Sequence, residues 1–174
     1  MQLVFNVIGK KEHTLITEIF QLVSDCLCQV VDCKINGLEN LYAAYFLISG
    51  DWNHIAKLEN TLETFQKRSD LVIIKTRPET QKVVTELIPY AIETISGSQV
   101  NSMSSTISFL VERNIVIEEV ACSRYTPSFV KSLVHSTRYI IAVPADLRLI
   151  SLREDFLDFC DQHNIDAILE PIKR

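Results

Sequence analysis

The chain has 174 residues and 47% of them are hydrophobic, which is enough for one medium domain or two small ones and too much for a disordered chain. Its formal net charge of −5 argues against broad electrostatic binding to DNA or RNA, because such binding needs a basic face. No apolar run approaches the roughly 18 residues of a membrane-spanning helix. The start lacks the basic segment of a signal peptide and five cysteines are an odd number, so we expect a reducing, cytoplasmic location.

The first half of the sequence predicts the order β-α-β-β-α-β. We expect strands at 2–9, 29–36, 40–48 and 71–76, and helices at 13–27 and 52–68. The second helix carries Ile55, Leu58, Leu62 and Phe65 at the spacing of one apolar helix face. Pro78 follows the last strand and predicts its end, because proline cannot donate to a sheet ladder.

Trp52 is the only tryptophan of the chain and directly follows Gly50 and Asp51. We expect Asp51 to cap the second helix by accepting from the free N–H groups of its first turn. Trp52 should then cover the end of the sheet as a packing residue rather than stack on a ligand. The matching position of the second half has Asp146 as the expected cap and no tryptophan.

The second half predicts the same order of elements. We expect strands at 86–96, 115–124, 135–143 and 165–171, and helices at 100–113 and 147–162. Leu149, Leu152, Phe156 and Phe159 repeat the spacing of the apolar helix stripe of the first half, 94 residues later. Landmarks nearer the start of each half lie 87 residues apart, so we expect the seven extra residues in a turn-rich insertion at 126–133.

This pattern predicts an α+β protein with two tandem ferredoxin-like βαββαβ domains. In that fold four antiparallel strands form a sheet and both helices cover one face of it. We expect the first domain at 1–78, a linker at 79–85 and the second domain at 86–174. Both alternating faces of the strand at 41–48 are largely apolar, so we also expect the second face of that sheet to be covered. The two domains would pair with each other, or two chains would associate as a homo-oligomer.

The residues that could bind metal or act in catalysis do not form a recognisable site. Cys26, Cys28 and Cys33 lie close in sequence, but no second cysteine or histidine pair completes a four-ligand zinc spacing, so we interpret them as small buried residues. The four histidines lie at different helix or strand ends, at His13, His54, His135 and His163. Motifs for nucleophilic catalysis or phosphate binding are missing from the sequence, so we expect no enzymatic activity, no metal and no cofactor.

The third strand raises the alternative of RNA binding, since related folds stack bases on aromatic side chains there. Tyr42 and Phe46 share one face, but Tyr45 points to the other. The segment also lacks the basic residue and glycine of the RNA-binding motif. Core packing is therefore the better explanation.

The turns after the first strand of each half are candidate ligand sites, because a helix N-terminus offers free N–H groups and a favourable field for a carboxylate. In the first half the candidates are Gly9, Lys10, Lys11, Glu12, His13 and Thr14. In the second half they are Ser96, Gly97, Ser98, Gln99, Val100 and Asn101. Ordinary turns, with solvated Lys10 and Lys11 and a cap at Ser98 or Asn101, explain the same residues equally well.

Two stretches carry a resemblance to a known family. They are SGDWNHIAKLENTL, which begins at Ser49, and VPADLRLISLREDFLDFCDQHNIDAILEPIKR, which begins at Val143. With RNIVIEE at 113–119, they resemble the bacterial glycine cleavage system transcriptional repressors, a family of tandem ACT-domain proteins. The resemblance covers nearly the whole chain and is strongest at 45–78 and 113–174.

The resemblance implies a regulator that binds the LysR-type activator of the glycine cleavage operon, with glycine modulating the contact. It implies no DNA-binding element. An amino-acid sensor for another partner and a scaffold without ligand are the alternatives. ACT turns usually read Gly-x-Asp-x-x-Gly, whereas this chain keeps Gly9 but has Lys11 and Thr14 at the other two positions, and 96–101 has neither the Asp nor the closing Gly. No binding residue of the family is therefore carried over to these turns.

Overall fold

The computed structural model describes residues 1–79, 87–97, 101–128 and 132–172. The chain divides into two compact units, Met1–Gln81 and Lys82–Arg174, which we call the first and second unit. Each unit contains four strands and two helices in the order β-α-β-β-α-β. The predicted pair of ferredoxin-like domains is confirmed.

The first unit contains one four-stranded antiparallel sheet with the strand order β2-β3-β1-β4. Its elements are β1 (Gln2–Lys10), α1 (Leu15–Asp25), β2 (Gln29–Leu38), β3 (Leu41–Ser49), α2 (Trp52–Arg68) and β4 (Val72–Thr76). β1 lies in the centre, paired with β3 on one side and β4 on the other. The end of β1 therefore lies beside the start of β4, and this places the first candidate turn next to the α2–β4 junction.

The core of the first unit lies between one face of the sheet and the two helices. Leu3, Phe5 and Val7 alternate along β1 and are buried, as the two-residue period of a strand requires. The predicted stripe of α2 faces them, with Ile55 and Leu58 fully buried. This burial explains why a helix of low overall hydrophobicity is stable here.

The other face of the first sheet keeps apolar side chains at least partly in contact with solvent. Ile8 on β1 is 45% exposed and Ile74 on β4 is 62% exposed. Val4 and Leu47, which pair across β1 and β3, are half-buried. That this face is covered by a second domain or a second chain stays a prediction.

The second unit repeats the arrangement with the strand order β6-β7-β5-β8. Its elements are β5 (Leu87–Ser96), α3 (Ser102–Glu112), β6 (Val116–Tyr125), β7 (Val134–Pro144), α4 (Leu149–Gln162) and β8 (Ile165–Pro171). Ile92, Tyr139 and Phe156 are fully buried in its core. The predicted insertion at 126–133 falls between β6 and β7, with 129–131 outside the described residues.

Two expectations about helix starts need correction. Asp51 does occupy the capping position of α2, but its side chain makes no capping hydrogen bond among the described residues. Asp146 is not the cap of α4, because the helix begins at Leu149 and Arg148 precedes it. The amide of Leu147 instead donates to the carbonyl of Pro144, which forms a turn before the helix.

The expectation that Trp52 packs over the sheet is wrong. The side chain is 63% exposed at the first position of α2, where it points away from the core. The described residues do not bury the indole ring, so Trp52 is a surface residue of the single chain.

In the part of the chain that the structure describes, no helix combines the length and hydropathy needed to cross a bilayer.

Candidate functional site

The first candidate turn begins at Gly9, which packs closely against the side chain of Leu71. A Cβ atom at Gly9 would lie 2.0 Å from Cδ2 of Leu71, the residue just before β4. The backbone φ of Gly9 is not in the left-handed region, so close approach rather than turn geometry selects glycine here. This glycine therefore serves the contact between the β1 end and the β4 start.

Lys11 is directed toward the β2–β3 hairpin. Its amide donates to the carbonyl of Asn40 at 2.9 Å, and its ammonium donates to the carbonyl of Glu39 at 3.4 Å. The same ammonium lies 5.5 Å from the centre of the Tyr42 ring, within the range of a cation–π contact. Lys11 thus holds the hairpin to the turn.

An open cleft of about 510 Å³ lies beside this turn and falls within the range of small-molecule sites. Its walls come from the start of α1 and from the α2–β4 junction. The lining residues are Lys10, Glu12, Leu15, Glu18, Phe65, Lys67, Arg68, Ser69, Asp70 and Leu71. The wall is mostly polar, with Leu15, Phe65 and Leu71 as its apolar part.

The cleft carries both signs of charge. Lys10, Lys67 and Arg68 are cationic, and the acidic residues of the lining are Glu12, Glu18 and Asp70. The Lys10 ammonium lies 3.6 Å from a carboxylate oxygen of Asp70, with both side chains well exposed. An exposed pair of this kind contributes little to stability, so both groups can reorient toward a ligand. The arrangement suits a small zwitterion, whose carboxylate and ammonium need opposite partners.

The structure brings only part of the first predicted site together. Lys10 and Glu12 line the cleft, and Gly9 packs against its Leu71 wall. His13 and Thr14 are exposed in the turn and do not line the cleft. Sequence reasoning missed the contribution of residues 67–70, although the antiparallel pairing of β1 with β4 in the expected fold would have placed them there.

The second candidate turn is described only at its ends, since Ser98, Gln99 and Val100 lie outside the described residues. Ser96 is buried, and its hydroxyl lies 2.9 Å from that of Ser102. Asn101 precedes α3 without a capping hydrogen bond from its side chain among the described residues. A Cβ at Gly97 would meet no atom of the described residues within 4 Å.

The thiols of Cys28 and Cys160 are poor nucleophiles. Burial raises the pKa of the Cys160 thiol to about 12. Burial, assisted by the neighbouring Cys26, also raises the pKa of Cys28. Because the thiolate is the reactive form, both groups behave as small core residues. The described residues contain no group of three or more His, Cys, Asp or Glu side chains arranged to hold a metal ion.

The aromatic residues of β3 do not form a stacking platform for bases. Phe46 is buried, stacks on Phe5 with centroids 4.9 Å apart and meets Phe20 edge-on. Tyr42 is half-buried on the same face, next to Lys11. These rings therefore face the helices and pack in the core.

Comparison with known proteins places the first unit in a described family. Residues 1–75 match the model of the ACT domain family. The glycine cleavage system transcriptional repressors of Escherichia coli (strain K12) and Shigella flexneri are each 31% identical over 75 residues. That alignment spans 43% of this chain and 40% of each relative, so well under half of the curated relatives' length is matched.

Solved structures share the fold over the whole chain. A crystal structure provisionally assigned as a glycine cleavage system transcriptional repressor has a TM-score of 0.75 and 22% identity, covering 99% of this chain and 98% of its own. An unknown protein from Galdieria sulphuraria has a TM-score of 0.76 at 13% identity, with the same coverage. At these identities the likeness establishes the tandem fold alone.

Proposed function

Because the first half of this chain belongs to the ACT domain family and the second half repeats its fold, we propose that the protein is a regulator that controls transcription of glycine cleavage genes through protein contact. The observation that carries the proposal is the 31% identity over 75 residues to curated glycine cleavage repressors. The proposed partner is a LysR-type activator, in keeping with the net charge of −5, which disfavours direct binding to DNA.

The test of this role is a binding experiment with the purified activator. The full chain, immobilised through a tag, should capture the LysR-type activator of the glycine cleavage operon from a purified preparation. An unrelated LysR-type protein serves as the control for specificity. Failure to retain the activator at micromolar concentrations of both proteins would contradict the repressor role and favour the sensor or scaffold alternatives.

We also propose that a small amino acid, with glycine as the first candidate, binds the mixed-charge cleft of the first unit. Lys10 and Arg68 would face its carboxylate, while Glu12 and Asp70 would face its ammonium group. No cofactor or metal is needed for this role, and it involves no catalytic step. A scaffold without ligand is the competing proposal, because the turn lacks the usual Asp and second Gly.

A thermal-shift titration separates these proposals. A ligand that binds only the folded state adds RT ln(1 + [L]/Kd), which is about 2.7 kcal/mol at 100 times Kd. Glycine should raise the melting temperature of the wild type, and Arg68→Gln should lose that rise. Arg153→Gln, which removes an exposed charge that does not line the cleft, is the matched control and should keep it. If all twenty amino acids leave the melting temperature unchanged at millimolar concentration, the scaffold proposal stands.

A further inference from the structure

A second large groove, of about 590 Å³, lies on the helical side of the second unit between α3 and α4. Each helix contributes a stripe with the same offsets of three, four and seven residues, so each stripe lies on one helix face. On α3 the stripe is Ser105, Ser108, Phe109 and Glu112, and on α4 it is Asp155, Asp158, Phe159 and Gln162. The groove thus pairs two phenylalanines with three carboxylates.

The floor of this groove is aromatic and already holds a guanidinium group. The Phe109 and Phe159 rings lie 4.8 Å apart between centroids. The guanidinium carbon of Arg113 lies 3.6 Å from the centre of the Phe109 ring, and its Nη1 donates to the Phe109 carbonyl at 3.2 Å. The chain's own arginine therefore shows the chemistry that this floor accepts: a flat cation stacked on a ring.

The rim of the groove carries three carboxylates, whereas Arg113 is the one cation among the described residues that line it. Glu112, Asp155 and Asp158 make no salt bridge or hydrogen bond through their side chains among the described residues. Asp155 and Asp158 are exposed and three residues apart on α4, so both reach the same side of the groove. A guanidinium on the floor could donate to carboxylates of this kind.

The ferredoxin-like fold does not by itself require an acidic and aromatic groove between its two helices. In the first unit, the displacements of the sequence repeat place Thr61 and Thr64 where α4 has Asp155 and Asp158. The groove between α1 and α2 is lined by Glu18, Gln21, Leu22, Phe65, Arg68 and Ser69, so it has one aromatic ring and balanced charge. The acidic and aromatic groove is a property of the second unit.

We propose that the groove between α3 and α4 docks an arginine-bearing segment of a protein partner, with arginine stacked on the Phe109 and Phe159 floor and paired with the rim carboxylates. The inference rests on the proposed function, in which the partner is a DNA-binding protein. Such proteins carry the arginine and lysine side chains that contact phosphates, and these are complementary to the rim. Arg113 is the internal occupant that the partner's arginine replaces on the Phe109 ring.

The first experiment measures binding of a fluorescent nona-arginine peptide to the full chain by anisotropy, with nona-lysine as the chemical control. Arginine should bind more tightly than lysine, because only a guanidinium stacks on the floor. The double variant Asp155→Asn with Asp158→Asn should weaken nona-arginine binding about fivefold to tenfold. Asp161→Asn, which removes one carboxylate charge from α4 outside the groove lining, should leave it within about twofold.

A second variant should change the affinity for nona-arginine in the opposite direction. Arg113→Gln vacates the Phe109 ring and should strengthen nona-arginine binding about twofold to fivefold, the size of a cation–π contact at a partly exposed site. Circular dichroism of each variant confirms that the fold is retained. Equal binding of nona-arginine to the wild type and the double aspartate variant, or weaker binding to Arg113→Gln, would overturn the groove proposal.

The activator capture assay, repeated with the same variants, separates the two proposals. Capture by the wild type and by Asp161→Asn but not by the double aspartate variant supports both. Capture by all three proteins overturns the groove inference and leaves the proposed function intact. If the wild type captures no activator but binds nona-arginine in the groove-dependent way, the proposed function fails and the groove stands.

Discussion

Leu27 and Asn114 hold the same left-handed backbone conformation, each with φ of 56°, at matching positions just after α1 and α3. The residue after each donates its amide to a carbonyl five residues earlier, from Cys28 to Val23 and from Ile115 to Leu110, both at 3.1 Å. This is the Schellman end of a helix, which favours glycine or asparagine at the left-handed position. The 87-residue repeat therefore extends to individual hydrogen bonds, and only the second copy has a residue suited to the geometry.

Replacing Leu27 with asparagine should stabilise the first unit. Leucine in the left-handed region is disfavoured by about 1–2 kcal/mol, whereas asparagine visits it routinely, and the Leu27 side chain is 71% exposed, so little burial is lost. We expect a gain of about 1 kcal/mol, or roughly 4–8 °C in the melting temperature of a unit this size. Asn114→Leu is the matched control and should lower stability by a similar amount. A melting temperature unchanged in both variants would show that neither position is strained.

The architecture could be predicted from the sequence because the periodic signals are strong. The α2 range, 52–68, and the β8 range, 165–171, agree with the structure at both ends. The resemblance to glycine cleavage repressors is confirmed over 75 residues at 31% identity, and residues 1–75 match the ACT domain model. The apolar stripe of α2 has only one way to face the sheet. The short apolar run before Pro171 predicted β8.

Positions that depend on a local turn or on a contact distant in sequence were harder to predict. Asp146 was expected to cap α4, but a turn closed between Leu147 and Pro144 delays the helix by two residues. Gly9 was a candidate ligand residue with an ordinary turn as the alternative, and no local pattern indicates its close approach to Leu71, which is distant in sequence. The cleft residues 67–70 carry no motif, because tertiary pairing of β1 with β4 alone brings them to the turn.

Alanine at Gly9 should destabilise the first unit through its contact with Leu71. The added Cβ would fall 2.0 Å from Leu71 Cδ2, so the leucine must move or the strands must separate. We expect a loss of about 1–3 kcal/mol by urea denaturation, typical of overpacking. Leu71→Ala should be only partly additive with Gly9→Ala, because it removes the clashing methyl group. If the two losses of stability are fully additive, the destabilisation by Gly9→Ala does not arise from its contact with Leu71.

The ion pair between Glu59 and Arg77 should make stability depend on pH. Arg77 donates from Nε to one carboxylate oxygen at 2.9 Å and from Nη2 to the other at 2.5 Å, and these hydrogen bonds lower the pKa of Glu59 below its usual 4.5. A lowered folded-state pKa gives stability that is present above the unfolded pKa and lost as the pH falls through the folded value.

The variant Glu59→Gln tests that pH dependence. At neutral pH it should melt slightly below the wild type, because the pair is partly exposed and its contribution is small. As the pH falls through the lowered pKa of Glu59, the two melting temperatures should converge, because the wild-type carboxylate becomes protonated. Arg77→Gln should give the same neutral-pH loss, and the double variant should add nothing further. A difference between wild type and Glu59→Gln that persists at low pH would contradict the ion-pair explanation.

Tyr139 should tolerate loss of its hydroxyl. The side chain is fully buried and its hydroxyl has no hydrogen-bond partner among the described residues. Burial raises the pKa of Tyr139, and the nearby hydroxyls of Thr106, Thr94 and Thr137 oppose that rise. Phe46 occupies the corresponding position of the first unit, as its pairing with Phe5 matches that of Tyr139 with Ile92.

We therefore expect Tyr139→Phe to be neutral or to stabilise the second unit by up to about 1 kcal/mol, because an unpaired buried hydroxyl is unfavourable. Phe46→Tyr is the reciprocal control and should destabilise the first unit by about 1–3 kcal/mol. Urea denaturation of both variants gives the comparison. A loss above about 1 kcal/mol in Tyr139→Phe would show that the threonine hydroxyls do bind the tyrosine hydroxyl in solution.

Trp52 offers a direct optical test of what surrounds the start of α2. It is the only tryptophan and is 63% exposed, so its emission should resemble that of a solvated indole and be quenched by iodide. Trp52→Phe should change the free energy of unfolding by less than about 0.5 kcal/mol, as for other surface substitutions. If a second chain or a protein partner covers this surface, the emission should shift to the blue with rising protein concentration or on addition of the partner. Blue-shifted, iodide-resistant emission at low concentration would instead mean that Trp52 is buried within the single chain, contrary to its exposed position at the start of α2.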